Sequence, residues 1–301
     1  MNIYIESKMS DADRRPELYR GSIYVHAPCT SALKLCKLAQ ELIEEACGSV
    51  NPLEVHQNMS AEQCAEMLSK LKPAFIHHAR SKEYLRGMLA ELGCDLEKTY
   101  FDVPRMRTAF PSDYLKSGIA YAFHPHRDTW YSAPLCQINW WMPIYQINAE
   151  NCMALHPHYW ARPIQNSSNQ YNYYKWNAES RYNAAKHIKG DTRVQPRPEE
   201  SIQLEPEVRL VCDVGAAYQF SAAHLHSTVP NTSDLTRYSI DFRTVHLDDA
   251  LSRTGAPNVD SACTGTTIAD YLKGTDFSRL PAEVLALYLD GTESQYGSSP
   301  F

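Results

Sequence analysis

No Cys-x-x-Cys pair occurs in this sequence, and its nine cysteines (Cys29, Cys36, Cys47, Cys64, Cys94, Cys136, Cys152, Cys212 and Cys263) are odd in number and scattered. That argues against a disulfide framework or a zinc knuckle and reads as reduced, mostly buried thiols. Basic residues are not in excess: 29 Lys plus Arg face 35 Asp plus Glu, for a formal net charge of −6. A general cationic surface for DNA or RNA is therefore not expected. No window approaches about 18 uninterrupted apolar residues, and the start MNIYIESKMSDADRR has no apolar stretch behind a basic one. The expectation is a cytoplasmic protein that neither spans a membrane nor binds nucleic acid. Internal repeats and dividing linkers are also lacking. The 301 residues, 44% of them apolar or aromatic, are expected to form one domain with a sizeable core.

The first third reads as mainly helical. Leu35, Ala39, Leu42, Ile43 and Ala46 recur at helical spacing over residues 30–48, with Thr30 or Ser31 as N-cap and Gly48 as stop. Ser60 with Gln63 forms a capping-box pattern ahead of Ala65, Leu68 and Leu71, and Ser81 precedes Leu85, Met88, Leu89 and Leu92, closed by Gly93. From about Tyr100 the period changes to two. Short β-rich runs cover Tyr100 to Thr108, Ile119 to Phe123, Leu135 to Trp141, Val208 to Cys212 and Arg237 to Val245. The resulting division is a helical part over 1–98, a mainly β core over 99–250 with a long Tyr-, Asn- and Pro-rich insertion at 156–207, and an extension over 251–301. A closing helix is expected at Pro281 to Leu289. Long ordered loops in compact domains are often functional, and the Tyr-rich stretch 171–182 reads as either a lid or a surface crossing.

His126-Arg127-Asp128 carries the strongest chemical signal. In an extended segment residues i and i+2 point the same way, so an imidazole and a carboxylate can reach one metal. Two histidines and one carboxylate on one face of an octahedral ion leave the opposite positions open, and a third ligand should come from a distant strand. AAHLHSTVPN offers His224 and His226, which share a face with Thr228 if the run is extended. The next run, TRYSIDFRTV, alternates Arg237, Ser239, Asp241 and Arg243 with Tyr238, Ile240, Phe242 and Thr244. An inward Arg and Ser two residues apart can hold one end of a dicarboxylate, as guanidinium fork and hydroxyl donor.

Together, His126, Asp128, His226 and Arg237, the last lying eleven residues after His226 and completing an R-x-S pair with Ser239, resemble the Fe(II)/2-oxoglutarate-dependent dioxygenase superfamily and within it the phytanoyl-CoA dioxygenase-like branch. The resemblance covers residues ~100–246. It implies a double-stranded β-helix, a jelly-roll or cupin-like fold of two sheets with a metal inside one open end. It also implies Fe(II) on His126, Asp128 and His226, and 2-oxoglutarate reaching Arg237 and Ser239 with its far carboxylate. O2 would then oxidise a small polar metabolite, as in secondary metabolism, with release of succinate and CO2. An intact Asp128 favours hydroxylation, desaturation or oxidative removal of a group, since halogenating relatives replace the carboxylate.

Other residues admit two readings. Gln137 and Asn139, in alternation with Ile138 and Trp140, and Thr228 are candidates for cosubstrate contact or are buried groups tied to the backbone. Arg243, His224, Arg127 and Trp141 are candidates for substrate contact. Against this, Asp241 can neutralise Arg243, Trp141 can be core, and His124, His156, His158 and His224 can be satisfied structural histidines. Arg127, Arg162, Arg181 and Arg193 would favour an anionic substrate if they converged. Two rival functions stay open: a cupin-like isomerase, lyase or dioxygenase without 2-oxoglutarate, and a non-catalytic small-molecule binder. Homodimer formation is open as well.

Overall fold

A computed structural model of the chain describes residues 1–115, 118–120, 124–181, 187 and 193–296. Its helices are Asp11–Tyr19 (α1), Thr30–Cys47 (α2), Val55–Asn58 (α3), Ala61–His77 (α4), Ala79–Glu91 (α5), Tyr173–Glu179 (α6), Leu247–Ser252 (α7) and Ala282–Ala286 (α8). Helix α2 follows its apolar spacing and stops at Gly48, which takes φ 63° without a side chain to oppose it. In α4 the capping box forms in both directions between Ser60 and Gln63. Helix α5 starts two residues before Ser81, because the His78 side chain accepts from the Arg80 amide and serves as the cap. Among the described residues no helix is long and apolar enough to cross a membrane, and all nine cysteines are free.

The strands are Ile3–Ile5 (β1), Ile23–His26 (β2), Thr99–Phe101 (β3), Arg105–Ala109 (β4), Ile138–Pro143 (β5), Met153–Leu155 (β6), Val208–Arg209 (β7), Ala217–Ser221 (β8), His226–Thr228 (β9), Arg237–His246 (β10) and Leu272–Lys273 (β11). The larger sheet has the order β1-β2-β8-β5-β10-β3-β11, with β4 also paired to β10, and the smaller is β7-β6-β9. An isolated bridge between His126 and His226 extends the smaller sheet by one segment. From β4 the chain visits the larger sheet, the smaller at His126, the larger at β5, the smaller at β6 and β7, the larger at β8, the smaller at β9 and the larger at β10. This alternation is the winding of a double-stranded β-helix, the jelly-roll fold. The two sheets are not joined into a closed barrel among the described residues.

Strand β10 is the hinge between core and site. Its apolar face (Tyr238, Ile240, Phe242) joins one buried cluster with Leu35, Ala39, Leu68 and Leu85 of the helices. Full burial of such a side chain stabilises by about 1.5–3 kcal/mol, so this packing fixes which face of β10 looks outward to the helices. Period two then forces Arg237, Ser239, Asp241 and Arg243 onto the inner side. A second cluster, with Trp141, Tyr218 and Phe220 from one sheet and Met153 and Leu155 from the other, seals the space between the sheets.

Several expectations are corrected. The N-terminal part is mainly helical as expected but also carries two short strands that the sequence did not show: β1 and β2 add to the edge of the larger sheet beyond β8, with Tyr4 stacked on Tyr24 at 4.6 Å. Strands of three and four residues are too short to register a period. The run from Tyr100 to Thr108 is two strands. Pro104 has no N–H to give a ladder, and the Asp102 carboxylate accepts the Arg243 amide at 2.7 Å in its place. Gly118–Ala120 is a 3-10 turn rather than the start of a strand, and residues 121–123 of that expectation lie outside the described ones. The closing helix is shorter than expected, with Pro281 as its N-cap.

Candidate active site

His126 and His226 face each other across two antiparallel segments and exchange both backbone hydrogen bonds, each at 3.0 Å. Directly opposed residues of such a pair put their side chains on the same face, and the two imidazole centroids lie 4.3 Å apart. Asp128 follows two residues later as the first residue of a 3-10 turn, Asp128–Tyr131. Its Oδ1 lies 3.3 Å from His126 Nε2 and 3.6 Å from His226 Nε2. One ligand atom from each of the three residues falls within 4.8 Å of the others, and all three residues are buried.

The surrounding bonds fix which atoms remain available. His126 Nδ1 lies 2.8 Å from the His124 carbonyl oxygen, and His226 Nδ1 lies 2.9 Å from that of His224. A carbonyl only accepts, so each Nδ1 donates, which leaves Nε2 of both rings directed toward Asp128. Gln137 Nε2 donates to Asp128 Oδ2 at 3.0 Å, and Arg243 Nε approaches the same oxygen at 3.4 Å. Oδ1 is thereby left facing the histidines. Burial alone would raise the Asp128 carboxyl, but the Arg243 guanidinium and then the two imidazoles outweigh it and hold the group well below the usual carboxylate range. His226 is pushed down to about 3, chiefly by burial and then by the neighbouring His126, so it is neutral at physiological pH. Two imidazole nitrogens and one ionised carboxylate oxygen are the donor set of an open-faced divalent metal site.

These residues line a cavity of about 280 Å³ between the sheets, together with Arg237, Thr228, Asn139 and Trp141. Within it, Arg105 pairs with Asp102, Arg107 grips Asp241 with two bonds of 2.7 and 3.1 Å, and Arg243 reaches Asp241 at 3.2 Å and Asp102 at 3.6 Å. Counting Asp128, three guanidiniums offset three carboxylates. Arg237 stands apart. Its guanidinium donates to Ser239 Oγ at 2.5 Å, lies over the Trp141 ring at 5.5 Å, and has no carboxylate at ion-pair distance among the described residues. Its Nε is buried without a hydrogen-bond partner. Burial draws its pKa down to about 10, which leaves it protonated at neutral pH. A buried, charged fork without a counterion is a receptor for a carboxylate.

The other sequence candidates separate cleanly. Gln137 is spent on Asp128, on Asn139 Oδ1 at 2.7 Å and on the Tyr271 hydroxyl at 2.6 Å, which makes it a holder of the carboxylate. Arg243 lines the cavity, with its fork committed to three acids, as its partner Asp241 foreshadowed. His224 does not reach the cavity: it lies in the turn after β8, where the alternation lapses, and its Nε2 meets the Gly21 carbonyl at 3.0 Å. Arg127 is also turned away, as period two requires between His126 and Asp128. It is fully buried, bonded to the carbonyls of Ala223, Tyr159 and Arg162 and paired with Asp260 at 3.1 Å. The four arginines do not converge: Arg181 lines the cavity, Arg162 lies over Tyr159 and Arg193 over Trp176. His156 bonds Leu204 O and Ser227 Oγ, and His158 bonds Gln203 O, which are structural roles.

Sequence reasoning missed Tyr131, Tyr271 and Asp270 on the cavity wall. Tyr131 stands one turn past Asp128 and packs edge-on to His126 at 5.3 Å, a placement that the 3-10 turn alone decides. Arg127→Ala is expected to lower the unfolding free energy by about 3–5 kcal/mol, since it leaves the buried Asp260 carboxylate without its cation and with only the Trp130 indole and Ile164 amide as donors. Urea unfolding measures this, and an unchanged midpoint would remove the pair from the structural account.

No protein-family model matches this sequence, and no curated protein matches it significantly. Among solved structures the chain is similar to EvdO2 from Micromonospora carbonacea var. aurantiaca, at 12% identity over 81% of this chain and 93% of that one, with a TM-score of 0.46. It is similar to AviO1 from Streptomyces viridochromogenes Tue57 at 12% identity over 84% and 100%, with a TM-score of 0.40. A third is SnoN, the non-haem alpha ketoglutarate dependent epimerase from nogalamycin biosynthesis, at 14% identity over 90% and 97%, with a TM-score of 0.41.

Proposed function

We propose that this chain is a non-haem iron(II) enzyme that uses 2-oxoglutarate and O2 to hydroxylate or otherwise oxidise a small polar metabolite, with succinate and CO2 as co-products. The observation that carries this reading is the presence in one cavity of the His126, Asp128 and His226 donors and of a buried guanidinium, Arg237, without a counterion among the described residues. His126, Asp128 and His226 would hold the ferrous ion, and Arg237 with Ser239 would receive the distal carboxylate of 2-oxoglutarate. Bound together, metal and 2-oxo acid supply an oxidant from O2.

The protein's own part is positional. The His124 and His224 carbonyls accept from Nδ1 and so turn Nε2 of each histidine toward the metal position, and Gln137 and Arg243 hold Asp128 by the oxygen that does not face the histidines. Thr228 and Asn139 add polar groups to the cosubstrate part of the cavity, and Trp141 supports the Arg237 guanidinium. The retained Asp128 favours hydroxylation, desaturation or oxidative removal of a group. Purified protein given Fe(II), 2-oxoglutarate and O2 is expected to release succinate slowly even without substrate, and none when either Fe(II) or 2-oxoglutarate is withheld. Folded protein that binds both and forms no succinate would overturn the reading.

A further inference from the structure

A buried polar atom without a partner costs about 1–3 kcal/mol, so where such atoms gather is informative. Ten side-chain atoms of this kind occur among the described residues, and five belong to residues lining the cavity of the candidate site: Thr108, Asn177, Arg237, Thr267 and Asp270. Arg237 is accounted for by the cosubstrate. Three of the others come from two segments outside the β core, the helix α6 and the turn at 267–270, and are of complementary kinds: Asn177 Nδ2 donates, Asp270 Oδ1 accepts, and Thr267 Oγ1 does either. They are held from behind. Asp270 Oδ2 accepts from the Tyr173 hydroxyl, and Asn177 Oδ1 accepts from Arg181 at 3.1 Å. The same cavity is lined by a run of rings, from His126 to Tyr131 at 5.3 Å and on to Tyr171 at 5.3 Å.

We propose that this wall is the substrate subsite, and that it recognises a ring carrying adjacent hydroxyl groups, a sugar or a cyclitol, with a C–H face against Tyr131 and Tyr171 and hydroxyls on Asn177, Thr267 and Asp270. The assignment rests on the oxygenase reading for its role but not for its chemistry. A hydroxyl donates one hydrogen bond and accepts two, so neighbouring hydroxyls match a donor, an acceptor and a group that is either. A carboxylate has no proton for Asp270. An ammonium group has no lone pair for Asn177, and burial, only partly offset by the Tyr173 hydroxyl and by Arg181 and Arg105, raises the Asp270 carboxyl above its ordinary value and so weakens it as a counterion. The flat apolar faces of ring sugars suit tyrosine rings, which add contact area at little entropic cost.

Saturation-transfer NMR on the metal-free protein tests this independently of turnover, with myo-inositol, methyl β-glucopyranoside, cyclohexanol and tetramethylammonium as probes. Transfer to the ring protons of myo-inositol, the glucoside or both is expected, with little to cyclohexanol and none to tetramethylammonium. Asn177→Asp keeps the Arg181 contact and deletes the donor, and Thr267→Val deletes the hydroxyl at constant shape. Each should weaken the polyol signal about tenfold while leaving 2-oxoglutarate affinity of the metal-loaded protein intact. No transfer to either polyol, preference for the ammonium probe, or equal signals in both variants would overturn the proposal. Polyol binding without metal or 2-oxoglutarate binding would instead sink the oxygenase reading alone, and the reverse result would sink the subsite alone.

Discussion

Replacing Asp128 by alanine is expected to reduce Fe(II) affinity by at least about 100-fold and to abolish succinate formation. Loss of groups that merely orient metal ligands already lowers affinity 10–100-fold, and Asp128 supplies the only anionic atom facing the two histidines among the described residues. The substitution also removes one of three carboxylates facing Arg243, but Asp241 and Asp102 remain at 3.2 and 3.6 Å, so the fold should persist. His226→Ala provides the control, because it deletes a ligand without altering the charge balance. It should show the same loss with a native circular dichroism spectrum. Calorimetric titration with Fe(II) under nitrogen measures both variants. Wild-type affinity in either would remove these residues from the metal site.

The second large effect is expected at Arg237. Truncating one partner of a buried, hydrogen-bonded charge pair costs about 2 kcal/mol or more, equivalent to a weakening of at least ~30-fold. Arg237→Ala should therefore raise the 2-oxoglutarate dissociation constant by that factor or more. Fe(II) affinity should stay at the wild-type value, because the bonds of Arg237 go to Ser239 and the Trp141 face and not to the ligand set. Arg237→Lys keeps the charge but loses the fork and the flat stacking surface, and should fall between the two. Titration with 2-oxoglutarate at saturating metal decides this. Unchanged affinity in Arg237→Ala would favour a metal enzyme of the same fold without this cosubstrate.

The legible and illegible parts of this molecule divide along a physical line. Strand β10 was legible because one face must pack on helices, which made its alternation clean and named Arg237, Ser239, Asp241 and Arg243 together. His126 and Asp128 were legible from their spacing, although Asp128 reaches the site from a 3-10 turn and not from a continuing strand. The same period, carried one residue further, would have turned Arg127 away. The alternation failed at His224 because a turn at Ala222 and Ala223 interrupts the run before β9. What sequence spacing could not supply is contact between distant segments. The Asp102, Arg105 and Arg107 network depends on two strands meeting β10 on one edge, and Asp270 and Tyr271 arrive from the C-terminal extension, where no period marks them.

The central claim is that one cavity binds a ferrous ion and 2-oxoglutarate together. Its most direct test is the visible absorption of the anaerobic protein on addition of Fe(II) and then 2-oxoglutarate. The account predicts a saturable charge-transfer band that needs both additions, disappears in His126→Ala and requires more 2-oxoglutarate in Arg237→Ala. A well-folded wild-type protein that gives no such band would contradict it.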